Sequence, residues 1–459
     1  MNTTSKPSAL NPRPLVLFGV PFHDVTFAET LEWCVARMRS GVPACMATAN
    51  VDFLMQATRD PELQRILLEA DLVIADGQPI VTLSGKFGPP LRERVTGSDL
   101  TPMLAAACAR EGLRIFLLGG APGVAEKAAA VLVERNPGLV IAGTYSPPLA
   151  SLLEMNHADI LARLRETRPH LLLVAFGAPK QEKFINLHLR SWNVPLSIGI
   201  GGTLDFLAGA QTRAPRLVQR IGFEWLWRMG TNPKRLFKRY AENIGFLFTA
   251  VSRQRRLLGS EPGPALTPDP AQDWTDLERT DQRVALFSLG SRATLSSEEL
   301  GRLVRAEAAL RRREGRLVVY GGTTRVQRII QEAGLTDYLD YRPDRTQAEA
   351  RCAELNNALR HGEISRGDDL LRLILPAEMN TATLPAWAAR VEKALAANVR
   401  RIAVDASGLT FMDSASLGWL IALRKRAQDQ HWDFTSSGFA GAPLQTLRLA
   451  RMDKIFVSA

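Results

Sequence analysis

Short apolar runs alternate with amphipathic stretches from Pro14 to about Ala210. The runs are Leu15–Val20, Ala44–Ala47, Leu72–Ala75, Arg114–Leu118, Val140–Gly143, Leu171–Ala175 and Leu196–Ile200. Runs this short, bounded by Gly, Asn or Asp, read as buried strands. Between them Phe27–Arg39, Pro61–Glu69, Val124–Glu134, Ser151–Thr167 and Gln181–Arg190 carry helical periodicity. The alternation predicts an α/β domain over residues 14–210, with a mostly parallel, Rossmann-like sheet covered on both faces.

The pattern changes after Ala210. Residues 211–259 read as a helical appendage rich in bases, including Arg213, Arg216, Arg220, Arg253, Arg255 and Arg256. Phe223, Trp225, Leu226, Trp227, Phe237, Tyr240, Phe246 and Phe248 interleave with them. Residues 260–276 are a Pro-rich spacer, the clearest domain boundary. Beyond it lies an internal repeat: Arg283-Val284-Ala285-Leu286, Gly290 and Ser297–Gly301 lay on Arg401-Ile402-Ala403-Val404, Gly408 and Ser414–Gly418 with a one-residue gap. Each copy continues into a helix, a strand and a helix, which argues duplication of one β-α-β-α unit. The first copy, 277–345, lacks an opening strand and reads as a degenerate half-domain; the second occupies 367–459.

Polar clusters sit where the strands stop. Thr48-Ala49-Asn50 follows Met46-Ala47, Ala75-Asp76-Gly77 follows Leu72-Val73-Ile74, and Arg94-Val95-Thr96-Gly97-Ser98-Asp99-Leu100 comes next. In open α/β sheets such ends collect ligands and catalytic groups. Asp76 is a candidate general base, with Thr48 and Asn50 on the neighbouring strand end to orient an incoming hydroxyl; the structural alternative is that Asp76 caps the following helix. Gly119-Gly120, Gly177 with Lys180 and Gln181, and Gly201-Gly202 are glycine-bearing strand-to-helix turns whose N–H groups could cradle a diphosphate. The first βα turn lacks Gly-x-Gly-x-x-Gly, which excludes a nicotinamide fingerprint.

These residues carry a resemblance. Thr-x-Asn, Ala-Asp-Gly and Arg-Val-x-Gly-x-Asp-Leu, in that order, are similar to the WecG/TagA/CpsF glycosyltransferase family. The likeness continues through Phe116–Pro122, Phe176–Glu182, Gly222–Arg228 and Asn232–Leu236, so it spans residues 14 to about 250. It implies an inverting transfer of a hexose or N-acetylhexosamine from a UDP-sugar to a polyprenyl-pyrophosphate-linked sugar, in surface polysaccharide synthesis. The matching Asp is the proposed base. Arg94, Arg228, Arg235, Lys238 and Arg239 are the cations expected to meet the pyrophosphate or acceptor. No Asp-x-Asp motif is present, so a metal-independent enzyme without cofactor is expected, with arginines as the counter-charge.

The second repeat resembles a STAS domain. Leu371–Ala377 and Thr381–Leu395 look like its opening strand and helix, and Phe411–Gly418 like its signature loop. Family members often have Asp-Ser-Ser-Gly there. This chain has Asp413-Ser414-Ala415-Ser416, which keeps a phosphoacceptor serine, Ser414, and alters the loop after it. A kinase or other protein partner at this tail is the implied role. The competing reading of the whole chain is a regulatory scaffold with a vestigial transferase domain. The modular reading expects transferase activity to survive removal of everything after about Gly259.

Composition narrows the partners. The chain has 459 residues and a formal charge of +10, with ordinary apolar (46%) and charged (23%) fractions for a globular protein. Bases gathered with aromatics on the appendage suit an anionic membrane surface, whereas nucleic acid would need a basic stripe on the core fold. The four cysteines lack metal-ligand spacing, which fits a reducing cytoplasm. No signal peptide and no window of about 18–20 apolar residues stands out, so a peripheral position on the inner face of the cytoplasmic membrane is expected.

Overall fold

The computed structural model describes residues 12–86, 90–211, 245–247, 249–252, 284–292, 294–313, 315–358, 362–367, 369–395 and 399–457. The first apolar run is a hairpin rather than one strand of a parallel sheet. β1 (Pro14–Leu17) and β2 (Val20–His23) pair antiparallel. The chain reverses at Phe18 and Gly19, with φ of 53° and 80°. Two successive positive φ values make the tight turn whose twist matches its strands. A run of hydrophobicity alone cannot reveal that reversal.

The remaining runs form the expected sheet: β3 (Ala44–Ala49), β4 (Leu72–Ala75), β5 (Arg114–Gly119), β6 (Val140–Tyr145), β7 (Leu171–Ala175) and β8 (Leu196–Gly199). All pair in parallel, in the order β4-β3-β8-β7-β5-β6. Helices cover both faces. On one side lie α1 (Phe27–Ser40), α5 (Gly97–Glu111), α6 (Val124–Arg135) and α9 (Thr203–Leu207), packing Trp33, Leu104 and Leu132 on Met46, Ile74, Ile115 and Leu173. On the other lie α2 (Val51–Ala57), α3 (Pro61–Glu69), α4 (Gln78–Ser84), α7 (His157–Thr167) and α8 (Lys180–His188), facing Ala47, Val73, Leu172 and Val174. The alternation of faces along each strand follows from the two-residue period of the pleat. Local signals set the helix ends: Thr26 and Glu29 close a capping box on α1, and Gly41 ends it at φ 70°.

The half-domain forms β9 (Val284–Ser288), α10 (Ser297–Arg311), β10 (Arg316–Tyr320), α11 (Thr324–Glu332), β11 (Asp340–Arg342) and α12 (Arg345–Ala358) around a parallel three-stranded sheet. The tail is a STAS-like α/β domain. Its sheet, β12 (Glu363–Arg366), β13 (Leu370–Ile374), β15 (Arg401–Asp405) and β17 (Asp433–Ser437), is flanked by a short pair, β14 (Glu378–Met379) and β16 (Phe411–Met412). Its helices are α13 (Leu384–Leu395), α14 (Ser414–Asp429), α15 (Gly441–Leu449) and α16 (Asp453–Phe456). The repeat is visible in three dimensions: β9-α10-β10-α11 corresponds to β15-α14-β17-α15.

The three units share cores and charges instead of hanging on a string. Val16 of the hairpin and Leu68 of α3 belong to the half-domain's hydrophobic cluster. Gly301 of α10 comes so close to Pro14 that a Cβ would collide with its backbone. Glu378 of the tail is buried against Arg65 of α3 at 2.8 Å, Arg311 at 2.6 Å and Arg316 at 2.5 Å. Burial opposes its charge, yet the three guanidiniums hold its carboxyl well below the usual range. The separable tail expected from the Pro-rich spacer is thus docked. The spacer, and with it the domain boundaries at 260 and 277, lies outside the described residues.

Candidate active site at the strand ends

The carboxyl ends of β4, β3, β8, β7 and β5 form one ridge, and the candidate residues fall along it in sheet order. Asp76 follows β4, Thr48 and Asn50 end β3, Gly199–Gly202 end β8, Gly177 follows β7, and Gly119-Gly120 end β5. β3 lies between β4 and β8, where successive connections leave in opposite directions, the position at which such sheets open a crevice.

Asp76 is half-buried, and its Oδ2 accepts a hydrogen bond from Gly97 N at 3.4 Å. Gly97 is the first residue of α5, so the carboxylate faces a helix N-terminus, a favourable place for negative charge. Asp76 is not the N-cap residue of the helix that follows it. The N-cap of α4 is Gly77, with no side-chain cap bond. Thr48 is buried and donates to Gly199 O at 3.1 Å, tying β3 to β8. Its methyl would be in ordinary contact, at 3.4 Å, with a Cβ on Gly97 at the start of α5. Asn50 caps α2, its Oδ1 accepting from Asp52 N and Phe53 N. Arg94 lies half-buried on the segment leading into α5.

The glycine turns behave differently from the expected cradle. Gly120 N donates to Ala175 O at 3.2 Å, and both Gly177 N and Gly201 N donate to Gln181 Oε1, at 3.2 and 3.1 Å. These three amides are bonded within the fold. Gly119 is needed for close approach: a Cβ there, at φ 107°, would lie 2.7 Å from Ala175 O, whereas Gly177 and Gly201 have open space and are selected by their positive φ. Gly202 is the N-cap of α9, without a side-chain cap bond. Lys180 turns away from the glycines, its Nζ donating to Ala150 O at 2.5 Å, and burial pushes its pKa down. Gln181 is the side chain that joins the β7 and β8 ends.

Residues that sequence reasoning missed lie on α3 and α8. Glu182 is buried behind Gln181, and burial raises its carboxyl to about 7. Lys183 pairs with Asp60 at 2.7 Å and Glu62 at 2.9 Å. Glu62 in turn accepts from Ser414 N at 2.8 Å and Ser414 Oγ at 2.6 Å. The serine expected to meet a separate partner is therefore engaged by the transferase domain. The polar run Lys180-Gln181-Glu182-Lys183 carries no apolar signal of burial; only the packing reveals that Gln181 and Glu182 are buried.

Arg228, Arg235, Lys238 and Arg239 lie outside the described residues. Of the appendage, residues 245–247 and 249–252 are helical, and Phe246, Leu247 and Val251 pack against the core cluster that holds Phe22, Phe53 and Leu83. Among the described residues no helix is long and apolar enough to cross a membrane. A cavity of about 1560 Å³ lies at the opposite end of the sheet, beside Pro43, Asp71 and Asn193, where the three units meet. It touches none of the strand-end residues, so it is not the site argued for above.

Comparison with known proteins identifies likenesses for both halves. A model of the glycosyl transferase WecG/TagA/CpsF family matches residues 15–259, and a model described as Mlab, STAS domain matches residues 364–458. An N-acetylglucosaminyldiphosphoundecaprenol N-acetyl-beta-D-mannosaminyltransferase of Bacillus spizizenii is 30% identical over 231 residues, 50% of this chain and 86% of that protein. A Staphylococcus aureus protein of the same description is 25% identical over 243 residues, 52% of this chain and 93% of its own length.

Proposed function

Because the chain belongs to the WecG/TagA/CpsF family of glycosyl transferases, we propose that it moves a hexose or N-acetylhexosamine from a UDP-sugar to a sugar carried on polyprenyl diphosphate. The observation that carries this reading is Asp76, a half-buried carboxylate between the ends of β4 and β3 and the start of α5. The relatives' names supply the class of acceptor, and that of an N-acetylhexosamine donor.

In this mechanism the acceptor hydroxyl enters between Asp76 and the end of β3. Asp76 takes its proton as the oxygen bonds to the anomeric carbon and the bond from that carbon to UDP breaks. A single displacement inverts the anomeric centre. The proton then passes from Asp76 to solvent. Thr48 holds the β3 and β8 ends together, and Asn50 fixes the start of α2 beside them. Charge developing on UDP falls to Arg94 and to Arg228, Arg235, Lys238 and Arg239 of the appendage. The same appendage, basic and aromatic, would rest on the cytoplasmic membrane surface where the lipid-linked acceptor lies.

The test is transfer from a panel of UDP-sugars to a short-chain polyprenyl-diphosphoryl N-acetylglucosamine, read by mass analysis of the lipid product. A product one sugar heavier, with the new linkage of opposite anomeric configuration to the donor, is expected. No transfer from any UDP-sugar, with no stabilisation by millimolar UDP, would reject the reading in favour of a scaffold with a vestigial transferase.

A further inference from the structure

Gln181 is an unusual link in this site. One oxygen, Oε1, accepts from two backbone amides that belong to different strand ends, Gly177 N and Gly201 N. Both glycines have positive φ, 79° and 53°, which glycine adopts freely, so the shared acceptor rather than steric limits selects these turns. Were the amide reversed, Nε2 would face two N–H donors. Its orientation is set from behind, where Nε2 donates to Glu182 Oε1 at 2.7 Å. Gln181 and Glu182 are 2% and 4% exposed, and Glu182 Oε2 has no hydrogen-bond partner. The strand leaves room for the pair. A Cβ on Gly199 would lie 2.5 Å from Gln181 Nε2 and 2.6 Å from Glu182 Oε1.

We propose that Glu182 is a positioning residue for the donor side of the site: by accepting from Gln181 it holds that amide in the one orientation that ties the Gly177 and Gly201 turns together. A buried carboxyl with one unpartnered oxygen is a costly way to support a glutamine. An apolar side chain would fill the space but offer no acceptor. The neutral acid both accepts from Gln181 and adds no negative charge next to a nucleotide diphosphate. The inference rests on the UDP-sugar reading given under the proposed function, and takes the β7 and β8 ends that these turns connect as the wall beside which the donor lies.

Electrostatics around the group agree. Burial raises Glu182, opposed by the Gln181 hydrogen bond and its own backbone N–H, and no charged neighbour contributes to the shift. The titratable groups on the elements packed against α8 are Glu62, Arg65 and Glu69 with the cap Asp60 on α3, Cys45 on β3, and Asp413, Arg424, Lys425, Arg426 and Asp429 on α14. On α8 itself Lys183 is tied up with Asp60 and Glu62, Lys180 with Ala150 O, and His188 with His157 at 2.7 Å. Glu182 is thus neutral below about pH 7 and gains a buried charge above it.

The experiment uses the full chain, with Glu182→Gln and Glu182→Ala, and two readouts. Amide hydrogen exchange of the peptides containing Gly177 and Gly201 should speed up about tenfold in Glu182→Ala, confined to those turns, and return in Glu182→Gln, which keeps an acceptor. Calorimetry with UDP from pH 6 to 8.5 should find affinity falling about tenfold in wild type relative to Glu182→Gln as pH rises through 7. Wild-type exchange at both turns in Glu182→Ala overturns the proposal whether or not UDP binds, and superimposable pH curves in chains that do bind UDP overturn it as well. Faster exchange restored by glutamine, in a chain that binds no UDP, upholds the positioning role and rejects the nucleotide reading.

Discussion

Asp76 combines the properties a base for sugar transfer needs: a strand-end position, partial exposure and a helix N-terminus that favours its anionic form. Asp76→Ala is expected to lower transfer by about 10²-fold or more while leaving UDP binding and the melting temperature near wild type. Retained turnover would remove Asp76 from the mechanism. Gly119→Ala should act the other way, destabilising without touching the chemistry directly, because its Cβ meets Ala175 O in a φ region that alanine avoids; a fall in melting temperature checks it. What sequence could reveal at this level was composition at strand ends. Asp76, Thr48 and the glycines are the polar or small residues that interrupt apolar runs, so their placement was legible. Their bonding was not. Nothing in Gly-Gly or Gly-x-x-x-Gln tells whether an N–H faces a ligand or a neighbouring carbonyl, and here the neighbour won.

Helix α14 begins with a crowded group of carboxylates. Asp413 caps it, accepting from Ser416 N at 2.9 Å and from Thr381 N at 2.8 Å, and it faces Glu62 of α3. Burial first, and Glu62 second, raise Asp413 to about 6. Its folded pKa lies above the unfolded value, so the folded state binds the extra proton. That contribution is complete below about pH 4 and is lost as pH rises through 6. The melting temperature of wild type minus that of Asp413→Asn should therefore shrink from pH 4 to pH 7; a constant difference would mean that Asp413 does not titrate in this window. Ser414→Asp sets a second carboxylate against Glu62, and the expected result is release of the tail, seen as faster proteolysis within α14. A phosphate there would meet the same repulsion, now from the transferase as well as from Asp413. Periodicity foretold these helices and the β-α-β-α repeat well, because both are written in local pattern. The hairpin of β1 and β2 escaped it, since its turn depends on two backbone angles and not on polarity.

Glu378 is one point at which all three units meet. Glu378→Gln leaves Arg65, Arg311 and Arg316 buried with less counter-charge, and a loss of roughly 3–5 kcal/mol is expected in a denaturant titration. A change under about 1 kcal/mol would show that the cluster relaxes into water. Truncation after Gly259 strips Val16 and Leu68 of their apolar partners, and a melting temperature lower by roughly 5 °C or more is expected, with Asp76 chemistry impaired through stability and not through lost contacts. A proline-rich stretch announces a linker but says nothing of what the linked parts do next, so this docking was invisible along the chain. Both repeats offer the same helix to the transferase, α10 beside Pro14 and α14 beside Glu62, and α3 carries Glu62, Arg65 and Leu68 toward them. For heredity this makes α3 and the tail a matched pair. Arg65 in a chain without Glu378 keeps only Glu69 of its own helix, so relatives that end at the transferase should be free to carry another residue there, a point any alignment of the family can decide.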